Sequence, residues 1–303
     1  RPREAARNSG AAAGAAAGGE NVKLLKNLRK VIDMFGKKII PCVKVINGKT
    51  AEGPVYCGQR GAGDPVGCAA AYARAGADGV MFLDVSARGE GVAEVVRRAA
   101  AELGVPVVAG CAGSPRELRE LREAGAGGVV LGDAAVRNPG LVREAAEIFG
   151  RGGVTVAICA QRRGEGYWEV CTEGGAKAER MDAYGWALAA EWLGAGELLL
   201  VSMERGGRVK PCDADFVKLI APAVGVPVAC ACGAADCREL YGLLSCGMAS
   251  SVVSSTLFRR SETSILTLKR FLSTMGLSVN GAEELLCGDV SAEAPELRLC
   301  AEA

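Results

Sequence analysis

A chain of 303 residues, half of them hydrophobic, can bury one large core. Its 36 Lys and Arg nearly cancel its 35 Asp and Glu, so no field of one sign argues for nucleic acid or an anionic membrane surface as a partner. Histidine is absent, which removes the usual neutral-pH general base and the commonest metal ligand, so any catalysis must rest on carboxylates, lysines or thiols.

Residues 1–35 open with Arg1, Arg3 and Arg7 and an Ala/Gly tract from Gly10 to Gly19. That composition cannot bury enough apolar surface to offset its ordering entropy, and it reads as a linker, a processed targeting remnant or a fragment edge. A short amphipathic helix is predicted from Val22 to Phe35, stopped by Gly36. No run reaches the roughly 20 apolar residues of a membrane span. Thirteen cysteines fall mostly inside apolar strands and helices of a long chain, which points to a reducing, cytoplasmic setting rather than a disulfide scaffold.

From residue 36 to 280 strand and helix alternate. Apolar runs such as Val80 to Val85, Val105 to Ala109, Val154 to Ile158, Leu198 to Met203 and Val226 to Ala229 predict parallel strands buried on both faces. Helices are predicted over Pro65–Ala75, Gly91–Leu103, Pro115–Ala124, Pro139–Phe149, Ala183–Leu193, Asp215–Val224, Cys237–Cys246 and Ser264–Met275. Three open on a capping residue followed by proline: Asp64-Pro65, Ser114-Pro115 and Asn138-Pro139. The insert Arg163–Arg180 alternates around glycines and predicts a hairpin after the fifth strand, and residues 281–303 form a tail. Trp186 and Trp192, on the fifth helix, read as packing residues.

The second half repeats the first in order. IIPCVK (39–44) answers to TVAICA (155–160), GADGVMFLD (76–84) to GAGELLLVS (194–202), VPVVAGCAG (105–113) to VPVACACGA (226–234) and GVVLGD (128–133) to SSVVSS (250–255), each offset by about 120 residues. Eight strands, eight helices and a half-length repeat predict a (βα)8 barrel built from two homologous half-barrels.

The segments KKIIPCVKV (37–45), AGDPV (62–66), RAGAD (74–78), FLDVS (82–86), AAVRNP (134–139), AICAQRR (157–163) and LGAGELLLVSM (193–203) resemble the cyclase subunit of imidazole glycerol phosphate synthase and its isomerase sister in histidine biosynthesis. The resemblance runs from about Gly36 to Asn280. It implies a barrel whose ligand carries two phosphates, one held by each half at the strands' C-terminal ends, and no cofactor. It also implies two catalytic aspartates, at the ends of strands one and five. Those positions hold Lys44 and Cys159. A lysine expected before Gly53 is Glu52, and an acid expected before Gly207 is Gly206. Losing one well-placed acid or base typically costs about 10² to 10⁴ in rate, so little cyclase activity is expected. Asp84, ending the second strand, is the nearest replacement acid.

By the same resemblance Gly207, Gly233, Ser254 and Ser255 stand at phosphate-binding positions of the second half. In the first half the glycine turn is interrupted (Gly110-Cys111-Ala112-Gly113), Gly132 replaces an asparagine, and Asp133 stands as an unpaired carboxylate that would repel a phosphate. The family's partner is a glutaminase that delivers ammonia past a ring of four charges at the barrel floor. The ring positions here are Lys38, Gly79, Gly128 and Glu197, which keep two of those charges.

Other constellations are weaker. Cys230, Cys232 and Cys237 lack the closed four-ligand spacing of a zinc site, so no metal is expected. Lys44 and Cys159 face each other across the mouth, and read either as space-filling replacements or as a lysine that lowers the pKa of a thiol. Gly58–Gly63 is followed by no GK[ST] and belongs to the mobile first loop, not a P-loop. Taken together, the expected function is a phosphosugar-binding barrel that has lost cyclase activity and acts as a scaffold. The alternative is a working cyclase using free or delivered ammonia.

Overall fold

The chain is described by a computed structural model over residues 36–51, 63–85, 91–110, 113–203, 213–232, 236–245, 248–255, 257–258 and 264–281. The predicted Val22–Phe35 helix, the Ala/Gly tract, nearly all of the tail and most of the Gly58–Gly63 loop lie outside those residues.

Branched apolar residues suit a pleated surface buried on both sides, and the predicted runs are strands for that reason. In the first half β1 (Lys38–Ile46) turns back into the two-residue β2 (Lys49–Thr50), followed by β3 (Val80–Asp84), β4 (Val107–Gly110) and β5 (Gly128–Leu131). The second half runs through β6 (Val154–Gly164), β7 (Tyr167–Thr172), β8 (Lys177–Asp182), β9 (Glu197–Ser202), β10 (Val228–Cys232) and β11 (Ser251–Ser254). Parallel ladders join β1–β3–β4–β5 and β6–β9–β10–β11, and the seams β5–β6 and β11–β1 close the ring. The molecule is a (βα)8 barrel of two half-barrels.

Both halves carry their first strand past the rim. β1 folds back through Asn47 and Gly48, both at positive φ, to pair antiparallel with β2. The insert after the fifth barrel strand is larger: β6 runs on into antiparallel pairing with β7, and β7 with β8. Trp168 on β7 stacks on Phe216 at 5.3 Å, which packs this extension against the helix after β9.

The helices are α1 (Pro65–Arg74), α2 (Val92–Glu102), α3 (Pro115–Glu123), α4 (Asp133–Arg137), α5 (Gly140–Phe149), α6 (Ala183–Leu193), α7 (Ala214–Ile220), α8 (Cys237–Ser245) and α9 (Ile265–Thr274). Asp64 caps α1 by accepting from the Val66 and Gly67 N–H groups, and Ser114 caps α3 by accepting from Glu117. Burial opposes the Asp64 charge, but Arg98 at 3.1 Å and the two backbone donors outweigh it and lower the pKa. Asn138-Pro139 departs from expectation: Pro139 is itself the N-cap, so no side chain caps α5. Among the described residues no helix is long and apolar enough to cross a membrane.

Strand alternation divides the core in two. Outward-facing residues such as Ile39, Phe82, Val129, Ile158, Leu200 and Val252 pack against the helices. Cys42, Met81, Val130, Leu199, Ala229 and Val253 fill the barrel interior.

Candidate active site at the barrel mouth

The mouth is built from the C-terminal ends of the eight parallel strands. Lys44 continues the inward face of Ile40 and Cys42 on β1, and Cys159 continues that of Ala157 on β6. β1 and β6 are the first strands of the two halves, so Lys44 and Cys159 stand on opposing walls, as the sequence led one to expect. Beyond Cys159 on the same face, the buried Gln161 donates to the Gly175 carbonyl at 2.8 Å.

Asp84 does not join them. Met81 and Leu83 are the inward residues of β3, and Asp84 shares the outward face with Val80 and Phe82. Its ladder partner on β1 is Val45, also an outward core residue. The alternation that points Lys44 into the mouth therefore turns Asp84 away from it, which corrects its candidacy as the replacement acid.

In the first half, one backbone donor of the glycine turn is already occupied. Gly113, in the turn after β4, donates its N–H to the Glu117 carboxylate at 2.6 Å. Asp133 is not the unpaired carboxylate expected from sequence. It accepts the Glu173 N–H at 2.7 Å and lies 3.7 Å from Arg137, which also reaches Glu173. The β7–β8 connection is thus strapped onto the start of α4, with Gln161 holding its far end. Burial, with Asp133 nearby, pushes the Cys171 thiol under this strap up to about 11, too high for a reactive thiolate.

In the second half Gly207 and Gly233 fall outside the described residues, as do Glu52, Gly206, Cys111 and Ala112. Ser254 is buried at the end of β11 and accepts the Leu257 N–H at 3.1 Å, while the partly exposed Ser255 follows it at the rim. Earlier in the chain, Asp236 and Glu239 cap each other's backbone at α8.

At the opposite end of the barrel, Glu197 accepts from Thr155 at 3.1 Å and from Ser251 at 3.3 Å. Lys38 is the positive charge that acts on it there. A Cβ at Gly79 would lie 3.2 Å from the Pro106 carbonyl oxygen, and one at Gly128 would lie 3.0 Å from that of Gly153. The neighbouring backbone crowds both glycine positions. Cys230, Cys232 and Cys237 are buried between sheet and helices, and no group of three or more acids or cysteines able to hold a metal occurs among the described residues. No disulfide joins two of the seven described cysteines.

Sequence reading missed two features. The β1–β2 hairpin carries a direct signal, the Asn47-Gly48 dipeptide. The strap carries none, because its contacts join residues 40 apart.

A family model described as "Histidine biosynthesis protein" matches residues 38–263. Proteins named "Imidazole glycerol phosphate synthase subunit HisF" from three strains of Dehalococcoides mccartyi are each 39% identical over 250 residues, covering 81% of this chain and 98% of the relative. With barrel, repeat and matched segments in agreement, the chain belongs to the histidine biosynthesis family of HisF-like barrels.

Proposed function

We propose that this barrel has given up the cyclase reaction and works by binding a phosphorylated small molecule. The mouth carries the proposal: Lys44 and Cys159 occupy the two positions where the family resemblance implies catalytic aspartates, and Asp84 lies on the wrong face of its strand to replace either. The first half supports it, because a ligand phosphate there would have to displace Glu117 from Gly113 and Asp133 from Glu173. The second half, with Gly207, Gly233, Ser254 and Ser255, is left to hold one phosphate. The glutaminase partnership of the family would be weakened by the crowded, uncharged positions Gly79 and Gly128. No cofactor enters this reading, and a scaffold role in a reducing, cytoplasmic setting follows from it. The competing reading, a working lyase, is favoured by 39% identity along 98% of a relative's length.

An ammonia-dependent cyclase assay separates the two. The purified chain is expected to show no turnover. The double substitution Lys44→Asp, Cys159→Asp is expected to recover only part of the family rate, because the first-half phosphate site remains occupied. Turnover by the native chain near that of a curated relative would overturn the proposal.

A further inference from the structure

α6 breaks the pattern of the other barrel helices. Its exposed positions are Tyr184, Gly185, Leu188 and Trp192, with no charged side chain among them. Every other described helix of eight or more residues exposes at least one charge, as Arg116, Glu117, Arg119 and Glu120 do on α3. Tyr184, Leu188 and Trp192 are spaced at i, i+4 and i+8, which aligns them in one stripe. Trp192 is 73% exposed, so it is not the packing residue its sequence context predicts. The single charge on α6, Glu191, turns aside to accept the Gly225 N–H at 3.0 Å. The helix is apolar on both faces, and only one face has a partner.

What surrounds the stripe identifies its occupant. The flanking helices expose Arg143 and Glu147 on α5 and Asp215 and Lys218 on α7, and Asp182 is exposed at the N-terminus of α6. An apolar centre inside a rim of both signs is interface anatomy. A basic rim would suit an anionic surface, whereas a mixed rim can complement itself. We infer that α6 is the contact face of a homodimer whose two-fold axis passes at Leu188, with the two copies of α6 antiparallel. Such an arrangement sets Tyr184 against the partner's Trp192 and Leu188 against the partner's Leu188. It also brings Arg143, whose guanidinium lies 4.6 Å over the Trp192 ring, towards the partner's Asp182. An isologous contact requires this pairing of unlike ends. The stripe alone falls short of the roughly 800 Å² per partner of a standard interface, so the rims must contribute and the association belongs at the weak end of the range.

Sedimentation velocity over roughly a hundredfold concentration range tests this. The native chain is expected to shift from monomer towards dimer, and Leu188→Lys, which sets like charges face to face on the axis, is expected to remain monomeric throughout. Leu188→Cys should cross-link to itself under mild oxidation, giving a dimer that the native chain does not give under the same treatment. Trp168 and Trp186 are buried, so acrylamide quenching reads Trp192 and is expected to fall as concentration rises. A native chain that stays monomeric, or a dimer that Leu188→Lys leaves intact, would overturn the inference. So would a monomer with Trp192 already shielded, which would point to cover by another part of the same chain.

Discussion

Glu197 shows how much one side chain at the barrel floor can matter. Burial pushes its carboxyl above the ordinary carboxylate range, while hydrogen bonds from Thr155 and Ser251 and the charge of Lys38 offset only part of that rise. An acid whose pKa is raised in the folded state holds more protons folded than unfolded. Its contribution to stability is therefore present below the ordinary carboxylate value and is lost as pH climbs towards the raised one. Glu197→Gln removes this titration and keeps a neutral partner for both hydroxyls. The stability of the variant relative to the native chain is expected to rise with pH across that window, read by urea unfolding between about pH 4 and about pH 7. A pH-independent difference would show that Glu197 titrates normally. The mouth positions Lys44 and Cys159 come from the family resemblance, and the alternation along β1 and β6 is what turns them inward. Asp84 was misread because parity is unforgiving: a shift of one residue, from Leu83 to Asp84, exchanges the interior for the outer core.

Strands and helices were legible where their signals are local. The repeat gave the eight barrel strands, and proline after a capping residue gave the starts of α1 and α3. α5 escaped the same rule because Pro139, not Asn138, takes the cap position. The strap between β7 and β8 was invisible because its stability is tertiary. Glu173 sits at φ 55°, Gly174 at 65° and Gly175 at 88°, a left-handed run that costs a residue with a Cβ roughly 1–2 kcal/mol. The N–H of Glu173 to the Asp133 carboxylate offsets that strain, since charge-assisted hydrogen bonds contribute about 1.5–3 kcal/mol. Asp133→Ala is therefore expected to speed amide exchange at Glu173 by roughly tenfold to a hundredfold, with exchange in β9 and β10 unchanged. Unaltered exchange at Glu173 would mean that Gln161 and Arg137 hold the strap without Asp133.

Closing a barrel from two repeated halves poses a problem at only one of its seams. Between β5 and β6 the chain itself runs through α4, α5 and the turn at Arg151–Gly153, and that turn packs so tightly on the entry to β9 that a Cβ on Gly196 would lie 2.0 Å from the Arg151 carbonyl oxygen. Gly196 is the repeat counterpart of Asp78, so the two halves put different residues at equivalent places. At the β11–β1 seam the chain does not pass from one strand to the next, and side chains reinforce the strand ladder. Asp78 accepts the Ile39 N–H at 2.7 Å and the Lys269 ammonium at 2.7 Å, and Lys269 also donates to the Asn280 carbonyl at 2.9 Å. Lys37 accepts the Asn280 N–H and donates its own N–H to the Ser278 carbonyl, which lays the end of the barrel beside its beginning. The sequence offered GAD against GAG as a mere difference between repeats, and nothing local links residue 78 to residue 269. Both charges are almost fully buried, with side chains 3% and 9% exposed, so each depends on the other. Lys269→Met leaves Asp78 buried without its counter-charge and is expected to destabilise the barrel by about 3–5 kcal/mol. Adding Asp78→Asn to that variant removes the stranded charge and keeps an acceptor for Ile39, so the double variant should be more stable than Lys269→Met alone. Urea unfolding of both single variants and the double variant reads that coupling. Additive losses would mean that the seam closes by strand pairing alone and that the ion pair is incidental to it.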